Sequence, residues 1–319
     1  MPQRLALRVP CSTSNLGPGF DFLGLCLGMF LEAEVEWSSG SGAHAVSWTP
    51  SMPFEAGDDL VVRALDRHAA HRGVELPALS IRIRSEIPVG RGLGSSGAAT
   101  ACGLLIADAV ANSDAPSPAE PGSEERAAEG RGSEDRGRDE LVRLALELEG
   151  HPDNGTASLL GGCTLSVPHG SGLEVVQHPV HPSLGFAVAW PAAPLFTEAA
   201  RGALPAEVPF ADAVENPRRL ALLLDGLRTG DPGRLALGVS DRLHERFRRA
   251  LIPGSDAAVR AAEEAGAYAA CLSGAGSGLV AIGPAGEMDP IAAALAAPLE
   301  GGVGRAVPFV GEAPRVEPA

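Results

Sequence analysis

Lysine is missing altogether: the 25 basic residues of this 319-residue chain are all arginine. That absence excludes Schiff-base chemistry on a lysine, a Walker-type phosphate loop and a lysine–aspartate base pair. Aromatic residues make up only 4%, so Ala, Leu and Val have to fill the core, which a hydrophobic content of 45% allows. No apolar run reaches the roughly 20 residues of a membrane-spanning helix. The N-terminal MPQRLALRVPCSTSN has neither the apolar core nor the small-residue cleavage site of a secretory signal. Cysteines are few and scattered: Cys11, Cys26, Cys102, Cys163 and Cys271 form no C-x-x-C pair, which argues against zinc and for a reduced, cytoplasmic protein. An excess of positive charge is also lacking. The net charge of -15 speaks against nucleic acid, whose phosphates are held by basic patches.

What is present reads as an α+β chain of two halves. RLALRVPCSTSN starts as an alternating strand and is expected to break at Pro10, and residues 29–39 alternate apolar with acidic side chains as a half-exposed strand does. Residues 58–73 read as a helix capped by Asp58 or Asp59 and closed by Gly73, 79–88 as a strand, and 97–112 as a buried helix. Residues 113–139 are rich in Pro, Gly and charge and lack large apolar side chains, so they are expected to be a flexible surface insertion before a helix at 140–150. A turn and strand follow at 159–167, then mixed strands and helices, with SLGFAVAWP a strand, NPRRLALLLDGLRTG and DRLHERFRRALIPG helices, and AYAACLSGAGSGLVAIG a strand–turn–strand. The boundary falls near 165–180, giving domains of 1–168 and 169–319.

PVGRGLGSSGAAT, residues 88–100, runs from a glycine-rich turn into a helix. Gly90, Gly92 and Gly94 alternate with Arg91 and Leu93, and Ser95, Ser96 and Gly97 open the helix. Successive amides with a helix N-terminus make an anion nest that holds a di- or triphosphate without lysine. The same residues also suit a mere tight turn with Ser95 or Ser96 as N-cap.

Four segments in order, VPCSTSNLGPGFDFLGLCL (9–27), IPVGRGLGSSGAATA (87–101), EGHPDNGTASLLGG (149–162) and CLSGAGSGLVAI (271–282), resemble the motifs of the GHMP kinases. The NLGPGFD, GHPDN and LHERFR…LIPG stretches are most similar to the homoserine kinases of that family. The resemblance implies an N-terminal domain like domain 2 of ribosomal protein S5 and a ferredoxin-like C-terminal domain, with ATP and Mg²⁺ between them. It implies phosphorylation of the L-homoserine hydroxyl to O-phospho-L-homoserine, in threonine biosynthesis, by direct in-line transfer. Family members are commonly dimers, so a homodimer is compatible with it.

Carried onto this chain, the resemblance assigns ATP to Pro88, Val89, Gly90, Arg91, Gly92, Leu93, Gly94, Ser95, Ser96, Gly97 and Ala98, and Mg²⁺ to Ser96 and Glu149. Asp21, with Asn15 beside it, would take the substrate ammonium, His151 and Asp153 would face the substrate, and Arg201 and Arg248 would clamp its carboxylate. Plainer readings stand beside these: an Asx turn at NLGPGFD, a helix stop at 150–152, a solvated helix end at Glu149 and surface charges at both arginines. SGAGSG (273–278) either packs beneath the phosphates or simply turns one strand into the next. The chain departs from the family pattern at Asp59, where asparagine is common near the base, and at Arg246 and Phe247, where proline and tyrosine are common. Adjacent Arg248 and Arg249 leave open which one points inward. No general base is evident. The competing functions are a GHMP kinase for another small alcohol and a catalytically silent nucleotide sensor.

Overall fold

The computed structural model describes residues 3–38, 40, 42–51, 58–113, 124–170 and 172–319. A long antiparallel hairpin, β1 (Gln3–Asn15) and β2 (Gly19–Trp37), forms the spine of the first sheet. β1 does not stop at Pro10. The register slips between Pro10 and Cys11, and such a bulge lets an imino residue with no N–H sit inside a continuing strand. β3 (Ala45–Thr49) runs parallel to β4 (Leu79–Ser85), which pairs with β2. Between them lies α1 (Leu60–Arg72), capped by Asp59 and closed by left-handed Gly73, as the sequence predicts.

α2 (Ser95–Ala111) is buried along most of its length because it is wrapped by α1, by α3 (Glu124–Glu149), by α4 (Asp153–Leu160) and by β1. Its alanines and glycines are the condition for that closeness. A Cβ on Gly103 would lie 2.4 Å from the Val61 carbonyl oxygen of α1. α3 begins at Glu124 and not near 140, so the part of the expected insertion from 124 to 139 is helical backbone; residues 114–123 lie outside the described residues.

β5 (Cys163–His169) pairs with the start of β2, and β6 (Gly172–His178) pairs with β5. A division at 168/169 would cut this hairpin, so the first sheet runs on to His178. It also reclaims the end of the chain, since β11 (Val316–Pro318) pairs with β1. The second unit is a four-stranded antiparallel sheet in the order β10 (Val303–Val307), β7 (Leu184–Trp190), β9 (Leu279–Pro284), β8 (Ala269–Leu272). The connection from β7 to β8 carries α5 (Thr197–Gly202), α6 (Phe210–Thr229), α7 (Pro232–Gly238), α8 (Glu245–Arg249) and α9 (Ser255–Glu264), and α10 (Met288–Ala296) joins β9 to β10. That order is ferredoxin-like. DRLHERFRRALIPG yields only the short α8: Asp241 collects the amides of Leu243, His244 and Glu245, which makes a capped turn of the segment before it. Among the described residues, no helix is long and apolar enough to cross a membrane.

Candidate active site

A cleft between the two units receives α2 at one side and α5 and α8 at the other. Its nucleotide-like end is backbone. Gly90, Gly92 and Gly94 have φ of 68°, 65° and 65°. A Cβ on Gly92 would sit 1.9 Å from the Ser273 carbonyl oxygen, and one on Gly94 2.2 Å from Ser12 Oγ. Both positions therefore demand glycine through packing alone. Gly94 is the N-cap of α2 and supplies no side-chain bond, so neither Ser95 nor Ser96 caps the helix and the first-turn amides lack an intrahelical partner. Pro88 through Ser96 line the cleft, whereas Gly97 and Ala98 are buried behind it.

The Arg91 guanidinium, at the edge of the cleft, is taken up by main-chain carbonyls. Its Nε donates to the Pro191 carbonyl at 3.0 Å and its other nitrogens to those of Val89 and Ala192, which fastens the loop to the second unit. The 273–278 segment does the same from below: Ser273 Oγ donates to the Gly92 carbonyl at 2.7 Å, and the Gly278 amide donates to that of Arg91. At the far side Trp48, Asp58 and Leu60 complete the lining. Asp59 is committed to the cap of α1 and to Trp48 Nε1, at 2.7 Å, and is buried.

The opposite end is built of side chains. The β1–β2 turn holds Asn15, Leu16 and Asp21 in left-handed backbone (φ 68°, 48° and 54°), which side chains other than glycine's occupy only when their surroundings hold them there. Asn15 supplies part of that hold. Its Nδ2 donates to the Gly274 carbonyl at 2.8 Å and its Oδ1 accepts from the Asp21 amide at 3.0 Å, so Asn15 braces the site while lining it. Asp21 and Arg201 form a bidentate pair at 2.9 and 2.7 Å. The two residues expected to take opposite ends of one substrate therefore hold each other.

Arg248 is 1% exposed yet lines the cleft. Its hydrogen-bond partners are neutral, with the charges of Arg201, Asp21, Asp153 and Asp241 further off: NH1 reaches His244 Nδ1 at 3.3 Å and the Gly274 carbonyl at 3.4 Å, and Nε reaches the Ala200 carbonyl at 3.5 Å. Burial and nearby Arg201 lower its pKa. Arg249 points elsewhere, 2.7 Å from Asp256 and 3.6 Å from Glu245, so Arg248 is the inward residue. Both cleft guanidiniums lie against the Phe20 ring, at 5.6 Å for Arg201 and 5.0 Å for Arg248.

His151 Nδ1 donates to Asp153 Oδ1 at 2.7 Å, and both line the cleft. Burial opposes charge on each, but the pair outweighs it: Asp153 is pulled below its ordinary pKa and His151 raised above its own. Glu149 is not a solvated helix end. Its carboxylate oxygens are buried with the Thr100 hydroxyl beside them and no other hydrogen-bond partner, and burial pushes its pKa up to about 8. Gly155 leaves the space, since a Cβ there would lie 2.6 Å from Glu149 Oε1. Thr100 is one turn along α2 from Ser96, which places Glu149 under the start of that helix.

Sequence reasoning missed Phe20, Asn154 and His244. Asn154 links Ser14 Oγ and Ser12 Oγ at 3.0 Å each, tying α4 to β1. Its place after Asp153 in the HPDN motif was the available signal; His244 carried one too, four residues before Arg248.

Comparison with known proteins agrees with this architecture. The models for the GHMP kinases N terminal domain and for GHMP kinases C terminal match residues 59–124 and 223–301. The homoserine kinase of Synechococcus sp. (strain CC9605) is 38% identical over 285 residues, covering 88% of this chain and 84% of that protein. That of Nostoc punctiforme is 35% identical over 295 residues, covering 92% and 90%. In fold the chain is similar to the crystal structure of homoserine kinase from Cytophaga hutchinsonii, with a TM-score of 0.81 at 24% identity over 98% of this chain and 97% of that one. It is also similar to L. major mevalonate kinase, at 0.65 and 16% over 98% and 96%. With relatives this close over nearly their whole length, and with the cleft and both units in place, the chain belongs to the homoserine kinases of the GHMP kinase family.

Proposed function

We propose that the chain transfers the γ-phosphoryl group of ATP to the hydroxyl of L-homoserine, giving O-phospho-L-homoserine for threonine biosynthesis. The observation that carries this is Arg248: a buried guanidinium in the cleft wall with no carboxylate at ion-pair distance among the described residues. Such a charge is costly until an anion meets it. A substrate carboxylate between Arg248 and Arg201 supplies one, and Asp21, freed from Arg201, takes the ammonium. A zwitterion thus replaces one internal ion pair by two external ones. An alcohol bearing a carboxylate but no ammonium leaves Asp21 without that compensation.

Bound ATP supplies the phosphoryl group, and Mg²⁺ the charge that draws its oxygens together. The residues present fit both. The first-turn amides of α2 offer unpaired donors, and Ser96 with Glu149 offers the few oxygen ligands that Mg²⁺ takes from a protein when phosphates complete its shell. Burial holds the Glu149 carboxyl toward its protonated form, and it must release that proton to ligate. Among the cleft's own residues none is a ready base. His151 is held toward its charged form by Asp153, Asp153 is occupied by His151, and Asp21 is a charge partner. Direct in-line transfer, driven by positioning and charge neutralisation, fits this set.

ADP release by the purified chain with ATP and Mg²⁺ should be fastest with L-homoserine in a panel including L-serine, mevalonate and galactose. Faster turnover of a neutral or purely anionic alcohol, or none with any, overturns the assignment.

A further inference from the structure

Resting on the acceptor reading above, we infer that His244 is a positioning residue, whose neutral imidazole aims Arg248 into the cleft without neutralising it. The hydrogen bonds fix its state. Nε2 lies 2.8 Å from the Gly17 carbonyl oxygen, which can only accept, so Nε2 carries the proton. Nδ1 accepts from Arg248 NH1, so Nδ1 carries none. The ring is fully buried and lies against Phe20, 5.0 Å between centroids, on the same aromatic ring that both cleft guanidiniums approach.

The choice of a neutral acceptor has a consequence. A carboxylate at this position would pair with Arg248 and cancel the charge the substrate needs, and an apolar side chain would leave the guanidinium only its long contacts to the Ala200 and Gly274 carbonyls. Imidazole does neither. The charged groups facing it are Asp241, 3.8 Å from Nε2, and Arg248 on its own segment, with Asp21 across the β1–β2 turn and Arg201 beyond Arg248. Burial, opposed by Asp241 and the Gly17 carbonyl, leaves its pKa below the ordinary histidine value, in keeping with the neutral form that geometry requires. His244 also ties α8 to the turn that holds Asp21, so one side chain sets the spacing of both ends of the acceptor site.

The two nitrogens can be separated by substitution. His244→Asn places an amide where Nδ1 stands and keeps an acceptor for Arg248, while losing the Gly17 bond. His244→Gln reaches the Gly17 carbonyl and loses the acceptor, and His244→Phe loses both. With homoserine and ATP as substrates, His244→Phe and His244→Gln should raise the homoserine KM on the order of tenfold or more, with His244→Asn closer to wild type. The ATP KM and kcat at saturation should stay within about twofold in all three. Recovery by Gln and not Asn, or equal loss in both substrates' KM and in kcat, makes the role structural and overturns the inference. If the variants do not fold, the nitrogen-15 shifts of His244 in the wild-type protein still decide. Protonated Nε2 and bare Nδ1 at neutral pH support the inference; the other tautomer or a charged ring overturns it. Wild-type protein that fails to phosphorylate homoserine sinks the acceptor reading instead, leaving the tautomer measurement to judge His244 separately.

Discussion

The two ends of the cleft are made in opposite ways. The end proposed for the nucleotide is one continuous stretch, residues 88–96, presenting main-chain groups and shaped by what its glycines lack. The acceptor end brings together Asn15, Asp21, Arg201 and Arg248, drawn from the β1–β2 turn, α5 and α8, with Gly274 beneath them. A backbone site is ruined by adding an atom, because the loop is clamped from both sides. A side-chain site is ruined by removing one, because each charge is balanced by another or waits for the ligand.

Substitutions can separate the two modes. The largest effect belongs to Gly92→Ala: the left-handed backbone alone costs about 1–3 kcal/mol, and the 1.9 Å approach to the Ser273 carbonyl adds to it. Denaturant unfolding should show a marked loss of stability, together with a raised KM for ATP. Arg248→Leu should do the reverse. It should weaken homoserine binding by about 2–5 kcal/mol, while its melting temperature holds or rises because a buried charge without a counter-ion has gone. A clear fall in stability with homoserine KM unchanged would erase the distinction between the ends. Asp21→Asn should mainly raise the homoserine KM, on the order of tenfold; a large loss of kcat at saturation would show Asp21 removing a proton.

Glu149 lies behind the residues that line the cleft, beside Thr100 and Gly155, and it is sensitive to pH. Its carboxyl titrates near 4.5 when unfolded and about 8 when folded, so the folded chain binds this proton more tightly. That stabilising contribution is complete below 4.5 and is lost as pH rises through about 8. Urea unfolding across this window should show declining stability in wild type and a flatter profile in Glu149→Gln. The apparent Mg²⁺ requirement should rise as pH falls below about 8 and should lose this dependence in the variant. The smallest effect on catalysis is Arg249→Leu, a largely buried partner of exposed Asp256 and buried Glu245: both KM values should stay unchanged, and any loss should appear in stability, where Glu245 loses a counter-charge.

Much of this was legible from the chain. The α1 caps at Asp59 and Gly73, the strand of β4, the glycine loop running into α2 and the ferredoxin-like half all follow from local pattern or motif order. Pro10 misled because a bulge, visible only when a partner strand is present, absorbs its missing N–H. That β6 and β11 join the first sheet was not legible, because pairing and not sequence position decides it.

By itself, the sequence determined that no lysine is available to meet a phosphate, that a glycine-rich turn runs into the start of a helix, and that its neighbours resemble GHMP kinase motifs. Tertiary structure alone decided that Arg248 and not Arg249 turns inward, that Asp21 and Arg201 pair, that Arg91 is a fastener and that the Glu149 carboxyl is buried beside Thr100. The reason is physical. Glycine conformation and helix start are properties of neighbouring residues, whereas desolvation and charge pairing depend on which distant segments close over a group.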